Sequence, residues 1–131
     1  MHDAMKISDA EWRVCRVFWR NAKPLTANEV IAQLEGKTAW APRTIKALLN
    51  HLIKKNILGF EYQERRYLYF PLLNEEECLR VHTQSFVQRF FDGAAVTMLA
   101  SFLKHEELSE SDIAELKAIL GKKSKQSATR V

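Results

Sequence analysis

Hydrophobic residues in the first half of the chain recur at helical spacing. In residues 40–56, the apolar side chains stand at i, i+3, i+4, i+7 and i+8, which places Ile45, Leu48, Leu49, Leu52 and Ile53 along one side of an α-helix. The opposite side is polar and mostly basic. Pro42 stands where a first helical residue tolerates a missing amide. The pattern predicts an amphipathic helix from Pro42 to about Asn56.

Two capped helices are predicted before this one. The motifs Ser8-x-x-Glu11 and Thr26-x-x-Glu29 are capping boxes, in which the two end residues satisfy each other's free backbone amides at the first turn. The first helix runs to about Arg20, and the second ends at Gly36. The chain therefore begins with three consecutive short helices.

After Asn56 the hydrophobic period changes from about 3.6 to 2. Residues 57–63 and 66–72 are short and aromatic-rich, which predicts a β-hairpin with polar residues at its tip. We expect its aromatic residues to cover the helices as core; the alternative is a stacking platform for single-stranded bases. These residues are Phe60, Tyr62, Tyr67, Tyr69 and Phe70. Three helices followed by a hairpin is the order of a winged helix-turn-helix, whose third helix enters the major groove of DNA.

The second half, from Asn74, shows helical patterns only. Asp92-Gly93 interrupts it, and Ser109-x-x-Asp112 is a capping box for a last helix. Three striped helices of this length are too short to enclose a core, so we expect them to pair with a second copy of the chain. The interface residues expected from the stripes are Leu79, Phe86, Val87, Phe90, Phe91, Met98, Leu99, Phe102, Leu103, Ile113, Leu116 and Leu120.

The predicted fold class is thus α+β, mostly α: an N-terminal winged helix-turn-helix followed by a C-terminal three-helix dimerisation region. We expect a DNA-binding domain at residues 1–73, a helical dimerisation domain at 74–121, and a basic, flexible tail at 122–131.

The distribution of charge supports this division. Residues 1–71 hold 12 basic and 7 acidic residues, whereas residues 72–120 hold 4 basic and 9 acidic ones. A basic half suits a polyanion, and the acidic half suits another role. No apolar run approaches the roughly 18 residues that cross a bilayer, and no secretory leader pattern is present, so we expect a cytoplasmic protein without membrane contact.

The polar side of the third helix and the tip of the hairpin form the predicted DNA interface. A solvated helix exterior is the alternative, but the supporting helix and the hairpin favour DNA. Arginine and asparagine can pair with base edges, while lysine mostly contacts phosphates. The groove-facing residues are expected to be Arg43, Thr44, Lys46, Ala47, Asn50 and His51, and the phosphate contacts Lys54, Lys55, Arg65 and Arg66.

Other chemistry has little support in the sequence. Cys78 and His82 stand four residues apart on one helix, but two ligands are half a zinc site at most, so no metal or other cofactor is expected. The chain has no glycine-rich phosphate loop, no nucleophile elbow, and no second histidine after His105-Glu106. We therefore do not expect an enzyme.

Six stretches together resemble the penicillinase-repressor family, winged-helix regulators that also include copper-responsive repressors. They are ISDAEWRVCRVFW, PLTANEVIAQL, WAPRTIKALLNHLIKK, RRYLYFPL, SFVQRFFDG and LSESDIAELKAIL, and they span about residues 7–120. The resemblance implies a homodimer that binds a palindromic operator and represses a promoter. It also implies inactivation by a sensor-activated protease in β-lactam-responsive members, which would place the cleaved bond at Ser101-Phe102; the alternative is that Phe102 is only dimer core.

The chain also departs from the family pattern. Ala41 occupies a cap position where serine is usual, Arg65 stands where the wing normally has glycine, and His51 replaces a commonly basic residue. Serine is also found where asparagine usually precedes the cleaved bond, and the paired-cysteine tail of copper-responsive members is absent.

The sequence thus predicts a sequence-specific DNA-binding repressor that acts as a homodimer. Two alternatives remain open: a protein-interaction module built on a winged-helix scaffold, and a metal-responsive repressor that uses Cys78 and His82.

Overall fold

The computed structural model describes residues 7–129 of the chain. The elements in chain order are α1 (Asp9–Trp19), α2 (Ala27–Leu34), α3 (Pro42–Lys54), β1 (Leu58–Gln63), β2 (Arg66–Pro71), α4 (Glu75–Phe91), α5 (Ala95–His105) and α6 (Glu110–Thr129). The predicted helix, helix, helix, hairpin and three-helix order is confirmed. None of the described helices combines the length and apolar character needed to cross a membrane.

Local capping sets the helix starts. At α1, the Ser8 amide donates to Glu11 over 2.8 Å, and the Glu11 amide donates to the Ser8 hydroxyl over 3.1 Å. The same reciprocal pair begins α2, and another begins α4 between Asn74 and Glu77. At α3 the cap residue is Ala41, which offers no side-chain hydrogen bond, and Pro42 follows at the first turn. Both predicted N-terminal capping boxes are confirmed.

The N-terminal head consists of α1, α2, α3 and the β1–β2 hairpin, which is called the wing. Its core lies between the three helices and the base of the wing. Its fully buried side chains include Val14, Phe18, Val30, Leu49 and Leu52. The hairpin is antiparallel, and an isolated bridge between Leu25 and Tyr69 fastens the α1–α2 loop to β2. The wing is therefore fixed at its base by the same core that positions α3.

The outer part of the hairpin contradicts the expectation that its aromatic residues are core. Phe60, Tyr62 and Tyr67 are 49–62% exposed, and only Tyr69 and Phe70 are half-buried. A two-stranded ribbon that projects beyond the helices has no layer to cover its far half. Its rings instead contact each other, with centroids 5.6 Å apart for Phe60–Tyr67 and 4.8 Å apart for Tyr62–Tyr67.

Helix α4 is attached to the head at its start. Cys78 is fully buried in the head core, and the Trp19 indole donates to the Leu73 carbonyl over 3.0 Å. The rings of His82 and Trp12 are in a T-shaped contact, with centroids 5.0 Å apart. The first turns of α4 therefore connect the head to the helices that follow.

The last helix is longer than predicted. The segment expected to be a flexible tail at 122–131 continues α6 as far as Thr129, the end of the described chain. The segment after Leu120 contains a single glycine and no proline, and its lysines are good helix formers. Because residues 121–129 have no apolar periodicity, the sequence pattern did not predict this extension of the helix.

Candidate nucleic-acid interface

Helix α3 has one buried side and one exposed side, as its sequence pattern predicts. Ile45, Leu48, Leu49 and Leu52 are buried against the head core. The groove-facing residues predicted from the sequence all lie on the exposed side, together with Lys54: Arg43, Thr44, Lys46, Ala47, Asn50, His51 and Lys54. This exposed side is the recognition face. It carries three positively charged side chains, Arg43, Lys46 and Lys54, and the side-chain amide of Asn50.

The wing continues this surface. Arg65 and Arg66 are exposed at the hairpin tip, where Glu64 and Arg65 form the turn with φ angles of 51° and 66°. A groove of about 420 Å³ lies between α3 and the wing, lined by Asn50, Ile53, Lys54, Phe60, Tyr67 and Tyr69. The recognition face and the wing thus bound a common concave surface.

Lys55 differs from the other predicted phosphate contacts. Its ammonium donates to Glu11 Oε1 over 2.7 Å, and its side chain is only one quarter exposed. Glu11 lies on α1 and is 2% exposed. The pair joins the start of α1 to the end of α3, so Lys55 is directed towards the protein rather than outwards.

The same carboxylate lies close to the recognition face. Glu11 Oε2 is buried without a hydrogen-bond partner among the described residues, and it is 4.0 Å from His51 Nδ1. Burial alone raises the pKa of Glu11, but the hydrogen bonds from Lys55 and Ser8 outweigh it and hold the pKa below its ordinary value. Glu11 is therefore a buried anion beneath the C-terminal end of α3.

Glu11 is the residue that sequence reasoning missed. Its capping box fully explains a glutamate at the third helical position, so the sequence gives no sign of a second role. The contact with Lys55 joins residues 44 positions apart and depends on how α1 packs against α3.

A second surface consists of apolar side chains on α4, α5 and α6. No described side chain of α5 or α6 is buried. Of the interface residues predicted from the sequence, eight are exposed: Leu79, Phe86, Phe90, Leu99, Phe102, Leu103, Ile113 and Leu120. Phe91, Met98 and Leu116 are half-buried. The sequence missed Val96, which is 80% exposed. Exposed apolar area on this scale marks an interaction surface.

Val87 is an exception to the predicted interface. It is 8% exposed within the single chain and has little surface left for a partner. Ser101 and Phe102, the predicted cleavage pair, lie in the last two turns of α5 and are both exposed.

The two cysteines are both core residues. Cys15 and Cys78 are 0–1% exposed, and burial raises their pKa values to about 12 and about 11. Metal ligation needs the thiolate, which these pKa values disfavour. Among residues 7–129, no three His, Cys, Asp or Glu side chains come together as a metal site.

Comparison with known proteins agrees with this architecture. The family model described as the penicillinase repressor matches residues 7–122. The penicillinase repressor of Bacillus licheniformis is 37% identical over 115 residues, which cover 88% of this chain and 89% of that protein. The methicillin resistance regulatory protein MecI of Mammaliicoccus sciuri is 30% identical over 118 residues, which cover 90% and 95% of the two chains.

Solved structures give the same assignment for the fold. The DNA-binding domain of the repressor BlaI superposes with a TM-score of 0.52 at 36% identity, covering 59% of this chain and 93% of that one. A mutant form of S. aureus MepR superposes with a TM-score of 0.54, covering 95% of this chain and 82% of that one, but at 18% identity it supports the fold alone. The matched residues span both the winged head and the C-terminal helices, and the chain belongs to the penicillinase repressor family.

Proposed function

We propose that this chain is a DNA-binding transcriptional repressor that acts as a homodimer on a palindromic operator. The observation that carries the proposal is the recognition face, where Arg43, Lys46, Asn50 and Lys54 are exposed on one side of a helix whose other side is anchored in the core. Family membership supports the same function, since the relatives named above include a penicillinase repressor and a methicillin resistance regulatory protein.

The proposed contacts divide between base edges and phosphates. Arg43 and Asn50 have the donor and acceptor geometry that pairs with guanine and adenine edges in the major groove. Thr44, Lys46, Ala47 and His51 complete the part of the helix that faces bases. Lys54 and the wing arginines, Arg65 and Arg66, contact phosphates, which position the head but carry no sequence information. Lys55 contributes through its pair with Glu11 and not through direct DNA contact.

Domain assignment follows the two surfaces. In this proposal the DNA-binding domain is residues 1–73, of which 1–6 lie outside the described residues, and the dimerisation domain is residues 74–121, extended by the rest of α6. Ten of the fourteen large apolar side chains that are exposed in the described chain fall between residues 79 and 120. A second copy of the chain is the partner that supplies an equally apolar surface, and a two-fold dimer matches a palindromic site.

Dimerisation and DNA binding are linked in this proposal. One head makes few contacts, and a dimer converts docking of the second head into an intramolecular event, which raises affinity by about 10² or more. Any change that separates the subunits therefore releases the operator.

Cleavage of Ser101-Phe102 by a sensor-activated protease is one way to separate them. What supports it is the weak anchoring of α5, which has no buried residue and whose cap residue, Ala94, makes no side-chain hydrogen bond. A helix of this kind opens locally at low cost, which proteolysis requires. Mass spectrometry of the chain from cells exposed to a β-lactam tests the site: a fragment ending at Ser101 is expected, whereas an intact chain in cells with a derepressed operator contradicts it.

Variants of Asn50 and Lys54 test DNA recognition. We expect Asn50→Ala to lose about 1–3 kcal/mol of discrimination between the operator and a random duplex. Lys54→Ala is the matched control on the same exposed side: it should weaken both duplexes equally and reduce the dependence of binding on salt. Electrophoretic shift assays at several salt concentrations separate the two. Identical behaviour of the two variants contradicts the assigned roles.

The two alternative functions, a protein-interaction module and a metal-responsive repressor, require different features of the chain. A protein-interaction module requires anchors for a partner, and the exposed aromatic residues of the wing, Phe60, Tyr62 and Tyr67, are the observation in its favour. Retention on heparin with salt elution distinguishes it from a DNA-binding protein. A metal-responsive repressor using Cys78 loses its support, because that thiol is buried in the head core.

A further inference from the structure

A second basic surface lies between α1 and the C-terminal part of α2. There a cleft of about 140 Å³ is lined by four cations, Arg13, Arg16, Arg20 and Lys37. The uncharged polar side chain of Gln33 also lines it. No acidic side chain of the described chain lines the cleft. Four cations therefore surround one small space.

This cleft is separate from the recognition face. Helix α1 packs against the buried side of α3, where Val14 and Phe18 share a core with Ile45 and Leu49. The cleft opens on the α1–α2 side of the head, whereas the recognition face is on the exposed side of α3. None of these four cations is among the residues proposed above to contact DNA.

The spacing of the cations is unfavourable for the protein alone. Arg13 and Arg16 on α1 and Arg20, the C-cap residue of α1, stand at i, i+3 and i+7, so their guanidinium groups repel one another along one side of the helix. Within residues 7–129, neither these arginines nor Lys37 forms an ion pair closer than 4.0 Å. A bound anion would remove this repulsion.

Part of the cleft is held in place. Arg13 Nη2 donates to the Lys37 carbonyl over 3.3 Å, and its guanidinium lies 5.9 Å from the centroid of the Trp40 ring. Gln33 exchanges two hydrogen bonds, of 3.1 and 3.2 Å, with Asn21. These contacts fix one wall and leave Arg16 and Arg20 exposed to close on a ligand.

We propose that this cleft binds a small phosphate-bearing anion with at least two negative charges. Guanidinium groups pair with phosphate through two parallel hydrogen bonds, and several of them can share the oxygens of one phosphate. The volume suits such a ligand, since a water molecule takes about 30 Å³ of liquid and the cleft offers several times that space. The contact of Arg13 with Trp40 connects the cleft to a residue two positions before α3 begins at Pro42.

Calorimetric titration of the full chain with pyrophosphate, in the absence of DNA, tests this proposal. Saturable binding is expected for the unmodified protein. The double variant Arg16→Gln/Arg20→Gln should weaken it by at least tenfold, because both side chains line the cleft. The matched control Arg43→Gln/Lys46→Gln removes the same charge from the recognition face and should leave pyrophosphate binding unchanged. Since all four side chains are exposed, thermal unfolding should show that both variants are folded.

Three results would overturn the proposal. One is an absence of saturable pyrophosphate binding, and another is loss of binding in the recognition-face variant instead of the cleft variant. The third is an absence of pyrophosphate binding by the unmodified protein, together with reduced operator affinity of the cleft variant in a separate electrophoretic shift assay, which would make the cleft an extension of the DNA surface. Because the titration contains no DNA, its outcome is independent of whether the chain is a repressor.

Discussion

The carboxylate of Glu11 on α1 accepts a 2.7 Å hydrogen bond from the ammonium of Lys55, the residue that caps the C-terminal end of α3. The Glu11 side chain is 3% exposed and that of Lys55 is 25% exposed, so removing Lys55 would leave the carboxylate of Glu11 buried without its cation. The pair fixes the end of the recognition helix relative to α1.

Replacing Glu11 by glutamine should destabilise the head by about 2 kcal/mol at neutral pH, because the carboxylate charge that pairs with the Lys55 ammonium is lost while the side-chain oxygen of the capping box is kept. The pKa of Glu11 in the folded protein lies below its ordinary value of 4.5, so its contribution is complete above that pH. It is lost as the pH falls through the folded pKa. The stability difference between the two proteins should therefore shrink below about pH 4.5, as measured by urea unfolding at several pH values.

The control for this experiment is Glu29→Gln. Glu29 holds the same position in the capping box of α2, but its cation, Lys23, is exposed and 4.0 Å away. This variant should lose much less stability, because exposed pairs contribute little. Equal losses in the two variants would show that the pair with Lys55 contributes nothing beyond the cap.

The cap of α3 can be improved. Ala41 has φ −70° and ψ 155°, close to the angles of Ser8 and Thr26, which do cap their helices with side-chain oxygens. Ala41→Ser should therefore add about 1 kcal/mol to the free energy of unfolding by accepting a hydrogen bond near the first turn. Thermal unfolding measures the gain. The matched control is Ala94→Ser at the start of α5, where ψ is 80° and the cap geometry is absent; it should not be stabilised.

The turn of the wing combines strain with a proposed function. Glu64 and Arg65 both have positive φ angles, which cost a residue with a side chain about 1–2 kcal/mol each. Arg65→Gly should relieve this cost at one position. Part of the gain is offset because glycine loses more freedom on folding, so a net stabilisation of under about 1 kcal/mol is expected.

The same substitution should weaken DNA binding. Losing one phosphate contact should lower the slope of log affinity against log salt by about 0.9. Arg66→Gln serves as the comparison, since Arg66 begins β2 without a positive φ and should weaken binding without stabilising the fold. If Arg65→Gly binds the operator as tightly as the unmodified protein, Arg65 is not a phosphate contact.

Local signals explain what the sequence could predict. Capping boxes at Ser8 and Thr26, the proline at position 42 and the change of period after Asn56 act within a few residues, and the structure confirms the elements that they predict. The exposed side of α3 follows from the same periodicity. A resemblance spread over most of the chain then connected the pattern to a family.

Features that depend on tertiary packing were not predictable in this way. The exposure of Phe60, Tyr62 and Tyr67 depends on how far the hairpin extends beyond the helices, and alternation along a strand does not reveal this. The pairing of Glu11 with Lys55 depends on the crossing of α1 and α3. The extension of α6 has no apolar stripe and arises from helix propensity alone.

Phe90 offers a direct test of the proposed dimer. It is 63% exposed in the single chain, although its ring lies 5.1 Å from that of Phe86. Phe90→Ser should therefore leave the fold of the chain largely intact while removing apolar area that the partner would cover. We expect the dissociation constant of the dimer to rise by at least tenfold in sedimentation equilibrium, since burying a phenylalanine contributes roughly 1.5–3 kcal/mol.

The matched control is Tyr62→Ser, which removes an equally exposed aromatic ring, 62% accessible, from the wing instead of α4. The dimer of this variant should have the same dissociation constant as the dimer of the unmodified protein. Because two linked heads bind more tightly than one, Phe90→Ser should also bind a full palindrome less tightly while its affinity for a half-site is kept. A monomeric unmodified protein at micromolar concentration, or a dimer unaffected by Phe90→Ser, would place the interface elsewhere and remove the link between dimerisation and operator binding.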